Sequence, residues 1–204
     1  MKFSELILEA RGTGITFVDI DETLFSTNAL IYVVKDGTVI KKLTNAEFNT
    51  YSLAEGETFD FREFKDSELF SNTSKPIETM INKVVAMFKN ISAAGSEMYL
   101  LTARGDFNDK DKFLEFLRSY NIKVGHIKDG HIHVIRAGNE PGSSAMRKQT
   151  IIRDFLQTEK YERVRLYDDA KSNLTAFIAL KDEFPNVTFE AFIVDHGKVS
   201  KFKS

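Results

Sequence analysis

The sequence predicts an α/β fold, a parallel sheet with helices covering both faces, three layers in all. Two observations carry this. Short apolar runs recur along the chain, at 15–18, 97–102, 163–167 and 187–194, each about the length of a strand. Between them lie longer stretches with apolar residues at helical spacing, and strands that alternate with helices pair in parallel.

In chain order, Phe3, Leu6, Ile7 and Ala10 mark a short amphipathic helix, with Ser4 as a cap and Gly12 as a stop. The run from Ile15 to Val18 is the first strand. Residues 28–43 hold two β-rich segments around Asp36-Gly37, a hairpin signal, because that dipeptide accepts the positive φ angles of a tight turn. Residues 44–75 turn polar and aromatic, and we expect a small insertion there with a single helix over 45–52. Its Phe48, Tyr51, Phe59, Phe61, Phe64 and Phe70 either seal a surface excursion to the body or help select a substrate, since loops at strand ends carry specificity.

Pro76 restarts a helix, which runs over Ile77–Ala94 and stops at Gly95. A strand ending at Thr102 and a helix over Asp109–Tyr120 follow. Further strands are expected over Ile122–Ile127 and Ile132–Arg136, then a helix over Gln149–Leu156, a strand over Arg163–Tyr167 and a helix over Ser172–Asp182. Pro185 interrupts, and Val187–Val194 closes the sheet. The basic tail of Lys198, Lys201 and Lys203 is expected in solvent.

A chain of 204 residues suits one domain, 1–204, with a proper core. Its 28 Lys and Arg against 30 Asp and Glu leave a net charge of -2, so no global field draws it to nucleic acid or an anionic membrane. The absence of cysteine excludes disulfides, thiolate ligands and cysteine nucleophiles. No apolar run is long enough to span a bilayer, and Glu5 and Glu9 interrupt the opening segment where a signal peptide would be apolar. We expect a soluble, cytoplasmic protein with no membrane association and no obligate protein partner.

The chemistry gathers at strand ends, where open α/β sheets place their ligands. The first strand ends in Asp19 and Asp21, separated by Ile20. A buried strand gains nothing from two unpaired charges, so a bound cation is the economical explanation; a solvated strand end or a helix cap is the alternative. The strand at 97–102 ends in Thr102, with Arg104 close behind. The strand at 163–167 runs into Asp168 and Asp169, with Asn173 a turn later, and Arg147-Lys148 opens the helical pattern after Ser143-Ser144. Ile151 and Ile152 lie three and four residues beyond Lys148 and face the core, which aims Lys148 rather than Arg147 along its helix toward the strand ends. His126, His131 and His133 lack the acid or cysteine that would complete a zinc set.

Taken in order, these segments resemble the four signature motifs of the haloacid dehalogenase superfamily: the DxDxT strand (Asp19, Asp21, Thr23), a strand ending in Ser or Thr (Thr102), a Lys before a helix (Lys148), and a strand ending in two acids (Asp168, Asp169). The resemblance implies a three-layer Rossmann-like sheet, with a helical turn, a β-hairpin flap (28–43) and a small cap insertion (44–75) after the first strand. It implies a Mg²⁺-dependent phosphatase that cleaves a phosphate monoester through an aspartyl phosphate. Asp19 would be the nucleophile and Asp21 the proton donor and then base, held protonated by neighbouring carboxylates. Thr102 would hydrogen-bond the phosphoryl group, Lys148 would neutralise it together with Asp19, and Thr23 and Arg104 would meet the substrate. Mg²⁺ would take the Asp19 carboxylate, the Asp21 carbonyl and Asp169, with Asp168 and Asn173 in a water-mediated shell or the two acids exchanged. Dehalogenase members lack the second acid, so Asp21 favours phosphate over halide.

The last half of the chain is also similar to small-cap RNA-repair-like members and polynucleotide 3′-phosphatases. That likeness puts nucleotide or polynucleotide ends ahead of small phosphorylated metabolites as substrates. A binding module that keeps the fold without turnover is the alternative from another class.

Overall fold

The computed structural model describes residues 13–48, 50–93 and 95–203, without the side chains of 91–93 and 128. The helix expected over 3–10 lies outside the described residues. β1 (Gly14–Val18) is buried along its whole length. Ile15 and Phe17 enter one apolar cluster and Val18 the other, as the two-residue period of a strand between two layers requires.

Beyond β1 a tight turn at Ile20, which accepts from the backbone N–H groups of Leu24 and Phe25, leads into β2 (Phe25–Ser26). The hairpin forms as expected from β3 (Ile31–Lys35) and β4 (Thr38–Leu43), with Asp36 and Gly37 at φ of 48° and 76°. The helix expected over 45–52 is a single turn, α1 (Asn45–Phe48). Thr44 and Glu47 start it as a reciprocal capping box, but residues 52–56 are all exposed and give a longer helix no face to bury. β5 (Glu57–Asp60) then pairs with the free edge of β3, so hairpin and insertion share one three-stranded sheet. Its small core is Ile31, Val33 and Leu43, packed by Phe48, Tyr51, Phe59 and Phe64.

A 3-10 turn (62–65) and α2 (Ser67–Thr73) follow, with Asp66 capping α2 by accepting from the Leu69 N–H. Phe70 on α2 anchors this excursion to the body, edge-on to Phe25, Phe107, Phe113 and Phe116. Pro76 belongs to β6 (Lys75–Pro76), paired with β2, and the helix starts only at Glu78 as α3 (Glu78–Ala93).

β7 (Glu97–Thr102) and α4 (Lys110–Ser119, capped by Asp109) fall where expected. The strand expected over 122–127 does not form. Val124 makes one isolated bridge to Ile132, and 127–129 is a 3-10 turn. Ile122 and Val124 are buried under the helices, so their alternation reflects burial without a ladder. β8 (His133–Arg136) leads through a 3-10 turn (137–139) to α5 (Ser144–Leu156), and β9 (Arg163–Asp168) to α6 (Lys171–Ala179). The lysines of the tail are exposed as expected, and 198–201 also form the second strand of a last hairpin, β10 (Thr188–Asp195) and β11 (Lys198–Lys201). Lysines along an exposed edge discourage pairing with another chain.

The main sheet has the order β11-β10-β9-β1-β7-β8, with β11 alone antiparallel. α3 and α4 cover one face with Met80, Ile81, Val84, Phe113 and Leu117, and α5 and α6 the other with Ile152, Leu156, Leu174 and Phe177. Each such side chain, once buried, contributes about 1.5–3 kcal/mol. The strand order reverses at β1, with β7 on one side and β9 on the other, so the carboxyl edge of β1 opens on a topological switch point. Among the described residues no helix is long and apolar enough to cross a membrane.

Candidate active site

Three neighbouring strands deliver polar groups to this edge. β1 stays paired with β9 up to its acid, since the Asp19 N–H donates to the Tyr167 carbonyl at 2.9 Å. β9 places Asp168 and Asp169 beside it, and β7 ends in Thr102. The fourth contribution crosses from α5. Lys148, 129 residues beyond Asp19 in sequence, donates from Nζ to Asp19 Oδ1 at 2.6 Å and to Asp168 Oδ2 at 2.7 Å. Asp19 is 4 % exposed, Lys148 1 % and Asp168 0 %, so water does not screen these contacts. Ile152, four residues on, anchors the same helix face in the core.

Asp168 has further partners. Asn173 Nδ2 donates to both of its oxygens at 2.9 and 3.0 Å, and the Ala170 N–H donates to Oδ1 at 2.9 Å. With Lys148 on its other oxygen, this carboxylate is fully engaged. Asp169 is partly buried and lines a cavity of about 950 Å³ together with Asp19, Asp21, Lys148 and Asn173.

Asp19, Asp168 and Asp169 each present an oxygen within 4.8 Å of the others. One ammonium, Lys148, bridges Asp19 and Asp168, so the three carboxylates together outweigh the positive charge beside them. Burial, reinforced by Asp168 and opposed by Lys148, pushes the Asp169 carboxyl up to about 7. Burial also raises Asp19, with Lys148 opposing and the other acids adding repulsion. Burial disfavours the ammonium of Lys148, but Asp168 and Asp19 outweigh it and hold the group above its ordinary value.

This donor set fits a hard divalent cation. Its ligands are all oxygen, its acids repel one another, and Asn173 Oδ1 is buried without a hydrogen-bond partner. Asp19 and Asp169 are the acids with oxygens left to give.

Asp21, partly buried, and the buried Arg104 form a second pair. The guanidinium donates from Nε to both Asp21 oxygens at 3.0 Å and from Nη2 to Oδ1 at 2.7 Å, while Nη1 donates to the Phe64 carbonyl at 3.0 Å. Phe64, Phe70 and Phe107 surround its plane, with centroids 4.6, 4.7 and 5.6 Å away. Arg104 is 2 % exposed, so its guanidinium is shielded from water. Thr102 Oγ1 donates to Asp21 Oδ2 at 3.3 Å and accepts from the Arg104 N–H at 3.1 Å. Thr23 is wholly buried, with no partner for its hydroxyl, and is not among the cavity-lining residues.

Sequence reasoning missed the contribution of β8. Gly138 and Asn139, just beyond its end, line the cavity; Gly138 N–H donates to the Arg104 carbonyl, and Asn139 Oδ1 accepts from the Asp106 N–H. A Cβ at 138 would overlap the backbone of Ala103, Arg104 and Gly105, so only glycine permits this approach. The Gly-Asn pair after a fourth parallel strand was the available signal. Glu22 was also missed; it lines the cavity at φ 53°, directly after Asp21. No protein-family model matches the chain, and no curated protein matches it.

Proposed function

We propose that this chain is a Mg²⁺-dependent phosphatase of the haloacid dehalogenase type, acting on phosphate monoesters of nucleotides, polynucleotide ends or small metabolites. The observation that carries this reading is the meeting of Asp19, Asp169 and Lys148 at the switch-point edge, beside a cavity that also receives Asp21.

Asp19 attacks phosphorus and becomes an aspartyl phosphate, while the ester oxygen leaves with a proton. Lys148 holds the Asp19 carboxylate in line and offsets charge on the phosphoryl oxygens. Asp21 supplies the leaving-group proton and then takes one from the water that cleaves the intermediate; to do so it must be released from the Arg104 fork. Thr102 orients Asp21. Asp19, Asp169 and Asn173 are the groups that would hold Mg²⁺, which when bound screens the repulsion between the nucleophile and the phosphoryl group.

The Arg104 fork favours a second reading, a site that binds phosphorylated ligands without turnover, because it occupies the acid that would move the proton. Hydrolysis of p-nitrophenyl phosphate with Mg²⁺ and with EDTA, by wild type and Asp19→Asn, separates the two. Turnover that needs both Mg²⁺ and Asp19 supports the phosphatase; no turnover by wild type supports the binding module.

A further inference from the structure

The cavity is far larger than a phosphoryl group, and its walls differ in kind. Its lining carries the charged groups Asp19, Asp169, Lys148 and Arg147. It also carries aromatic rings from the three-stranded sheet and the turn after it: Phe48, Phe59, Phe61 and Phe64. These rings pack edge to face or tilted in a chain, Phe48 on Phe59 at 4.8 Å, Phe59 on Phe61 at 6.0 Å and Phe61 on Phe64 at 6.0 Å. Phe61 closes nothing. It is 40 % exposed at the cavity wall, while Phe70 a few residues later is driven into the core.

A cavity that combines aromatic faces with a lysine-bridged carboxylate site matches a ligand with an anionic end and a flat apolar-faced end. The side-chain amides of Asn45 and Asn139 line the same space and suit the donor and acceptor edges of a heterocycle better than a plain hydrocarbon ring. A polymer would need a basic track leading away from the site. The cavity instead mixes Asp21, Glu22 and Asp106 with Lys65, and the whole chain is net -2. We infer that the ligand is a nucleoside monophosphate, its phosphate on the Asp19–Lys148 floor and its base against the Phe61 face of the insertion. The inference rests on the phosphatase reading for turnover, but not for binding.

The test compares kcat/KM for adenosine 3′- or 5′-monophosphate, whichever is turned over faster, with that for glycerol phosphate, which lacks a base. Base–aromatic stacking is worth about 1–3 kcal/mol, so Phe61→Ala should lower the ratio of the two roughly 5- to 150-fold. Phe61→Leu keeps an apolar side chain of similar bulk and should lower it as well, while Phe61→Trp should hold or raise it. An unchanged ratio in Phe61→Ala and Phe61→Leu overturns the inference. So does a wild-type preference of more than about tenfold for a phosphorylated oligonucleotide over the mononucleotide. If wild type hydrolyses nothing, the phosphatase reading fails, and equilibrium dialysis of adenosine monophosphate against inorganic phosphate still decides this one: tighter binding of the nucleotide, lost in Phe61→Ala, supports it, and equal binding overturns it.

Discussion

Lys148→Met removes one ammonium and little else, because methionine keeps an unbranched apolar stem in the same helix-facing slot. What it leaves behind is costly. Asp19 and Asp168 lose a donor at 2.6 and 2.7 Å, and neither is exposed enough for water to replace it. Breaking a buried ion pair by removing one partner costs about 3–5 kcal/mol. For a chain of this size each kcal/mol lowers Tm by about 2–4 °C, so thermal unfolding at pH 7 in EDTA should shift down by roughly 6–20 °C. Adding Asp19→Asn removes one of the stranded charges, while Asn173 still serves Asp168. The double variant should therefore recover part of the loss, with a coupling on the order of 1–3 kcal/mol across the mutant cycle. A Tm within about 2 °C of wild type, or a double variant no more stable than Lys148→Met, would refute the electrostatic account of this floor.

Three further outcomes follow from the same structure. Gly138→Ala forces a methyl into the backbone of Ala103–Gly105 and should cost about 1–3 kcal/mol in urea unfolding, with phosphatase activity falling as the Arg104 loop shifts; wild-type stability would contradict it. Glu97 is opposed by burial but held below its ordinary 4.5 by Lys160, Tyr161 and Tyr99. Its contribution is thus complete above 4.5 and lost as pH falls through the lowered folded value, so Glu97→Gln should flatten the acid limb of Tm against pH; parallel limbs would count against it. Finally, Mg²⁺ at about 100 times its Kd should stabilise wild type by about 2.7 kcal/mol, and most of that gain should vanish in Asp169→Asn; an equal shift in both proteins would remove Asp169 from the ligand set.

The sheet was legible because burial on both faces leaves an unmistakable run of apolar residues in each strand, and β1, β7 and β9 each end at a polar group that has no place inside a core. The same logic failed at Ile122–Val124, where apolar alternation marks burial: the segment makes a single bridge, Val124 to Ile132, and no ladder extends from it. At the tail, Lys198, Lys201 and Lys203 are exposed as expected, but the strand they lie on or beside was not foreseen: the turn at His196-Gly197 folds 198–201 back onto β10.

Sequence by itself therefore determined the layered α/β class and the residue types that the strand ends present. Only the tertiary structure decided which of those residues share a charge. Lys148 bridges Asp19 and Asp168, Arg104 takes Asp21, and Asp169 is left facing the cavity. The physical reason is that an ion pair depends on distances of a few ångströms between segments up to 129 residues apart, a quantity set by how helices pack on the sheet.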